Sequence, residues 1–248
     1  MNNLTYGISI YVEDTGKTYH TLNDWNLALG NNNYIGDPEM ETTYIKIPGR
    51  SGLIDASEAV SGRRVFTHRP LAFELAGIHP RLSWDNVISK WRNDIQGRIC
   101  QLRIDNDPHY YWRGRVYITD FDRFRKLGTF TLSVPKADPY KYSVDTSAEP
   151  WMWDPFNFET DVITYLPSQQ ITGSGTVTIP SGDMPVSPQF VVADIVGDSF
   201  TVTYNGRTYP LTQGSNSVPS IIVGGDDEVE LLFTGTAKVQ ILYRSGSL

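Results

Sequence analysis

The 248-residue chain has little cysteine, no long apolar run and, in its second half, almost no cations. Cys100 is its single cysteine, so an internal disulfide and a cysteine-based zinc site are both excluded. Folding therefore needs no oxidising compartment. Apolar runs such as 190–193 and 220–223 fall far short of the ~20 residues of a membrane-spanning helix, so no membrane insertion is expected. The opening Met1–Tyr6 has neither the basic start nor the apolar stretch of a signal peptide. A net charge of −7 argues against nucleic-acid binding, which depends on neutralising phosphates with Lys and Arg.

What is present reads as mainly β. Fifteen Pro and 21 Gly are scattered among Tyr, Val, Ile and Thr, the punctuation of a folded all-β chain. Charge divides it. Residues 1–145 hold 18 Lys+Arg against 17 Asp+Glu, whereas 146–248 hold 3 (Arg207, Lys238, Arg244) against 11. The change falls in a polar stretch bracketed by Pro139 and Pro150, suited to a linker. Two domains, 1–145 and 146–248, are expected; one large sandwich with an acidic sheet is the alternative.

One good helix is expected, in the first half. Ser83 can cap it, Trp84, Val87, Ile88, Trp91 and Ile95 follow at helical spacing, and Gly97 stands at the stop. Strands are expected over Tyr6–Val12 and Thr18–Leu22, about the turn Asp14–Lys17. A meander follows the helix: Cys100–Ile104, a turn at Asn106–His109, a return through Trp112, Gly114, Val116 and Ile118, then Phe130–Val134 before Pro135. Upstream, Tyr44–Ile47 and Val65–Arg69 read as strands. Between them lies the long connection that opens Pro48-Gly49-Arg50-Ser51-Gly52-Leu53, a candidate arm over about 42–69. The second half reads as some seven short strands of an antiparallel β-sandwich. Its strongest signal is the hairpin Phe200–Tyr209 about Asn205-Gly206.

Chemistry is scarce. Gly16-Lys17-Thr18 lacks the upstream glycine of a phosphate-binding loop, since Tyr11 stands there, and it reads as a turn. Asp105, Asp107 and His109 alternate but straddle Pro108, and Asp226-Asp227-Glu228 lacks the ligand spacing of a calcium loop. No Gly-x-Ser-x-Gly elbow occurs, and nothing singles out a catalytic pair among the 28 carboxylates. No catalytic residue, cofactor or metal is expected. Trp151 and Trp153 more often anchor a second domain on the first; with Tyr209 they are also the candidate aromatic sugar platform.

Three motifs occur together: Ile47–Asp55; Trp84, Trp91 and Ile95–Gly97; and Asp105–Arg115 with Pro139-Tyr140-Lys141. In order and spacing they resemble the distal tail protein (Dit) family of siphophages infecting Gram-positive bacteria. Trp153–Glu159 and the closing Tyr243–Leu248 are similar to that family's second domain, less distinctively. The resemblance implies a tail-tube-like β domain with one helix and an extended arm, then a galectin-like β-sandwich. It implies a non-enzymatic virion protein made in the host cytoplasm and placed at the tail tip. There it would form a homohexamer joining the tail tube protein to the tail-associated and receptor-binding proteins. Pro48, Gly49, Gly52, Trp84, Gly97, Asp107, Pro108, Gly114, Arg115, Pro139 and Tyr140 carry the motifs and are expected to be mostly structural. Arg50, Arg63, Arg64 and Arg69 on the arm are the expected interface residues, Arg being suited to paired contacts. A carbohydrate-binding tail module contacting the cell wall is the alternative, and a tail-associated hydrolase a third.

Overall fold

In a computed structural model the described residues are 6–78, 84–124, 127–149 and 165–248. The chain forms two compact units, Met1–Lys141 and Tyr142–Leu248.

In the first unit β1 (Ile8–Val12) and β2 (Lys17–His20) make a hairpin, and β1 pairs on its other side with β8 (Ile99–Ile104). Ile8, Ile10 and Val12 face inward by strict alternation. The strand expected over Thr18–Leu22 stops at His20, where α1 (Thr21–Trp25) begins. Reciprocal caps cause the switch. The Asn23 N–H donates to His20 Nδ1, and the His20 N–H donates to Asp24 Oδ2. Next come β3 (Leu27–Leu29), β4 (Tyr34–Ile35), the arm with β5 (Tyr44–Ile45) and β6 (Ile54–Asp55), and β7 (Arg69–Ile78). The expected strand Val65–Arg69 is not formed. Phe66 makes an isolated bridge to Met40, and the strand starts at Arg69 and runs through Leu71, Phe73 and Leu75 into the core.

Helix α2 (Trp84–Ile95) buries Trp84, Ile88, Trp91 and Ile95, the stripe that periodicity predicts; Ser83 lies outside the described residues. Trp91 stacks on Trp25 at 5.0 Å between centroids and meets Trp84 edge-on at 6.4 Å. Beyond it come β9 (Tyr110–Arg115), β10 (Tyr117–Phe124) and β11 (Leu127–Ala137). The expected return strand 112–118 is broken at Val116, whose N–H donates to Arg98 O and whose carbonyl accepts from Gly97 N–H. β11 runs past Pro135 by means of an irregularity between Val134 and Ala137. It pairs with β7 and β10, and joins β9 at Ala137–Gly114. Gly114 has no room for a side chain: a Cβ would lie 2.5 Å from Val134 Cγ1 and 2.9 Å from Ala137 Cα.

The second unit contains β13 (Gln169–Ile171), β14 (Ser174–Ile179), β15 (Gln189–Tyr204), β16 (Arg207–Leu211), β17 (Gly214–Ser217) and β18 (Val229–Leu242). A short pair, β12 (Lys141–Ser143) with β19 (Gly246–Ser247), completes the strands. The predicted hairpin at Asn205-Gly206 forms, both residues at positive φ, with Tyr204 opposite Arg207. Two elements differ from expectation. Segments read as separate short strands are fused into β15 and β18, which each run through both layers of the sandwich. Their first and second halves pair differently. The early part of β15 and the late part of β18 join β17 and β13; the late part of β15 and the early part of β18 join β16 and β14. The corner lies at the register shifts between Ala193 and Thr201, near Asp194, Gly197 and Gly235, all at positive φ. Phe190, Phe200 and Phe233 fill the core between the layers.

Candidate functional site: the projecting arm

Among the described residues no group of three metal-ligating side chains exists, and no helix is long and apolar enough to cross a membrane. Of the alternating Asp105, Asp107 and His109, the two aspartates serve other ends. Asp105 accepts from Gly7 N–H and faces His20 Nε2 at 3.1 Å; Asp107 Oδ2 receives Lys141 Nζ at 2.8 Å. Lys141 also lies 4.3 Å over the Tyr110 ring, so the turn at Pro108 is fastened to the end of the first unit. These are structural contacts.

The feature of the first unit that lacks such an internal explanation is the arm. Its root is a short ladder, in which Gly36 N–H donates to Pro70 O, Glu39 to His68 O, Thr67 to Glu39 O and Glu41 to Val65 O. His68 Nε2 and Glu39 Oε2 lie 3.1 Å apart, and Phe66 meets Tyr140 edge-on at 6.1 Å. Further out, β5 and β6 form a separate ribbon, Tyr44 opposite Asp55 and Ile45 opposite Ile54. The Thr43 N–H donates to Ser57 Oγ and the Ala56 N–H to Thr43 O. Ser57 also donates to Asp55, which holds that carboxyl below its ordinary range. At the tip Arg50 N–H bonds Ile47 O, and Gly49 and Gly52 take φ of 80° and 85°, a conformation that side chains rarely adopt. That is the local reason for both motif glycines.

Residues 41–53 are exposed throughout. They include Tyr44, Ile45 (49% exposed), Ile47 and Leu53 (59%); nearby on the arm and its root Tyr34, Ile35 and Val60 are exposed as well. So many large exposed apolar side chains in one segment are unusual for a solvated loop and are the kind of feature that protein interaction sites carry. From sequence, the arginines of this segment are singled out and these apolar residues are not. Short apolar pairs inside a Gly- and Pro-punctuated connection were the available signal.

The predicted arginines fare differently. Arg50 and Arg64 are exposed on the arm and Arg63 is partly exposed, with no ion pair for the three among the described residues. Arg69 requires a correction. It is the first residue of β7, 5% exposed, with its guanidinium 4.8 Å over the Trp112 ring. Burial lowers its pKa, Asp37 opposing, and among the described residues its Nε has no hydrogen-bond partner. It packs the base of the arm and does not ride on it.

Other motif residues have structural reasons. Gly97 ends α2 at φ 72°, and its carbonyl accepts from Arg115 Nη1. Trp84 is fully buried, and Tyr140 backs Phe66. Neighbouring Arg113 grips both oxygens of Glu13 at 2.7 and 2.9 Å and reaches Asp138 at 3.3 Å. This bidentate bond raises the arginine's pKa and holds Glu13 below the usual carboxylate range. Of the suggested sugar platform, Tyr209 is half-buried in β16 against the core of the second unit. Trp151 and Trp153 lie outside the described residues.

Together the two units define an arm-bearing, mainly β architecture: a curled sheet carrying the short α1 and the longer α2, then a β-sandwich. That fold is shared, along nearly all of both chains, with a solved structure, SPP1 Dit, described as a paradigm of the hub adsorption apparatus in phages infecting Gram-positive hosts. The match covers 96% of this chain and 98% of that one, with a TM-score of 0.58 and 11% identity. No family model and no curated protein matches the chain.

Proposed function

We propose that this chain is a structural hub of a siphophage tail tip, a distal tail protein that closes into a homohexameric ring. In this reading the ring joins the tail tube protein on one side to tail-associated and receptor-binding proteins on the other. It has no catalytic role and resides in the virion after synthesis in the host cytoplasm. The observation that carries the reading is the exposed apolar arm on a chain that shares its fold end to end with a phage hub protein. A ring needs a heterologous contact, one surface meeting a different surface of the next copy until rotation closes. An arm that leaves one subunit supplies such a donor. Charge is compatible: residues 42–68 hold four cations (Lys46, Arg50, Arg63, Arg64) and two acids (Asp55, Glu58), in a protein of net charge −7. The domain assignment, 1–145 for the ring and 146–248 for a peripheral galectin-like sandwich, belongs to the same proposal. Light scattering tests it: a mass near six times 27.9 kDa supports the ring, and a monomer at every concentration refutes it.

A further inference from the structure

Among the described residues the sandwich of the second unit has four edge strands, and three are blunted. β13 is three residues long. In β17 the Asn216 side chain folds back to donate to Thr212 O and Gly214 O. β16 carries Arg207 and Pro210, and proline has no N–H to offer a neighbour. β14 is different. Its six residues, Ser174-Gly175-Thr176-Val177-Thr178-Ile179, include no charge and no proline, and among the described residues they pair with β18 alone.

The direction of its free groups follows from the ladder. Gly235 N–H donates to Gly173 O at 2.8 Å, one step beyond the pair Ser174–Thr234. In an antiparallel pair bonded and non-bonded positions alternate. Gly175, Val177 and Ile179 therefore bond β18, while Ser174, Thr176 and Thr178 turn their backbone groups away from it. Ser174 N–H is spent on Thr172 O at 3.0 Å. Thr176 and Thr178, both exposed, are left as outward rungs.

We propose that this edge is a docking site: an extended segment of another protein, flanked by Lys or Arg, adds to β14 as a further strand. The extended backbone of such a segment meets the two free rungs, as in other strand-addition complexes. Charge selects its flanks. β18 opens at Val229 opposite Ile179, so exposed Asp226, Asp227, Glu228 and Glu230 crowd that end of the edge. That the segment belongs to another tail component rests on the hub reading; the availability of the edge does not.

The test uses the full-length protein and a synthetic peptide, Lys-Lys-Thr-Val-Thr-Val-Thr-Lys-Lys, followed by residue-resolved amide hydrogen exchange. The peptide should slow exchange at Thr176 and Thr178 by at least tenfold and leave Gly175 and Val177 unchanged. Thr176→Pro deletes an outward donor without touching the β18 ladder and should weaken binding at least tenfold; Thr176→Val keeps the donor and should bind as the parent does. Protection elsewhere, or equal binding by Thr176→Pro, overturns the proposal. So does a dimer of the free protein that Thr176→Pro abolishes, because a second copy would then own the edge. Should the proline variant not fold, the exchange pattern of the parent protein decides alone. The same exchange in purified tails tests the tail partner: protection at Thr176 and Thr178 supports it, and rapid exchange there overturns it. Absence of the chain from tails would sink the hub reading and leave the peptide result standing.

Discussion

Replacing Ile45 and Leu53 together by Asp should dissolve the ring and leave the subunit folded. Tyr44, Ile45, Ile47 and Leu53 are 56, 49, 42 and 59% exposed. Full burial of one such side chain contributes about 1.5–3 kcal/mol, so covering the half that remains exposed contributes about 1 kcal/mol each, about 4 kcal/mol per arm. At 1.4 kcal/mol per decade that is nearly a thousandfold in each subunit contact. The double substitution removes half of this gain and asks the neighbour to bury two unpaired carboxylates, at several kcal/mol more. Both positions face solvent in the isolated chain, so thermal stability should move by no more than about 0.5 kcal/mol per site. Light scattering across a concentration series reads the oligomer, and circular dichroism reads the fold. Arg50, Arg63 and Arg64 supply the contrast: exposed pairs are worth about 0–1 kcal/mol, so Ala at each should weaken assembly less than tenfold. A ring that survives Asp at 45 and 53 but falls to the arginine variants would refute the argument and restore the cations as anchors.

Gly114→Ala should destabilise the first unit by about 1–3 kcal/mol, seen as a lowered melting temperature, because Val134 and the Ala137 backbone block its Cβ. Glu13 supplies a pH dependence. Its carboxyl is held below the ordinary range by Arg113, so its contribution is complete above about pH 4.3 and is lost as pH falls through the depressed value. Melting curves on acid titration should accordingly be flatter for Glu13→Gln. Burial pushes the Cys100 thiol up to about 12, so the native protein should resist thiol reagents at pH 8 and react only when the first unit opens.

Much of the fold was legible because its signals are local. The stripe of α2 is a 3.6-residue periodicity, and the Asn205-Gly206 hairpin is a two-residue preference for positive φ. Apart from the local caps that turn His20 into the start of α1, what failed was decided by contacts distant in sequence. Val116 keeps the alternation of a strand, yet leaves the ladder to bond Gly97 and Arg98. The bend that carries β15 and β18 through both layers depends on strands forty residues apart, and within each strand only a glycine, Gly197 or Gly235, marks it. The arm was visible as punctuation, but its exposed apolar side chains were not. A cation stands out in a sequence, whereas an exposed Ile45 or Leu53 reads as an ordinary hydrophobe until burial is known. Arg69 shows the converse: sequence places it beside Arg63 and Arg64, and only the pairing of β7 with β11 reveals that it is interior.

Electron microscopy of the purified full-length protein tests the ring most directly. An annulus of six copies is predicted, giving way to single particles when residues 42–64 are replaced by a short Gly-Ser linker. Single particles from the intact chain, or an unchanged annulus without the arm, would contradict the account.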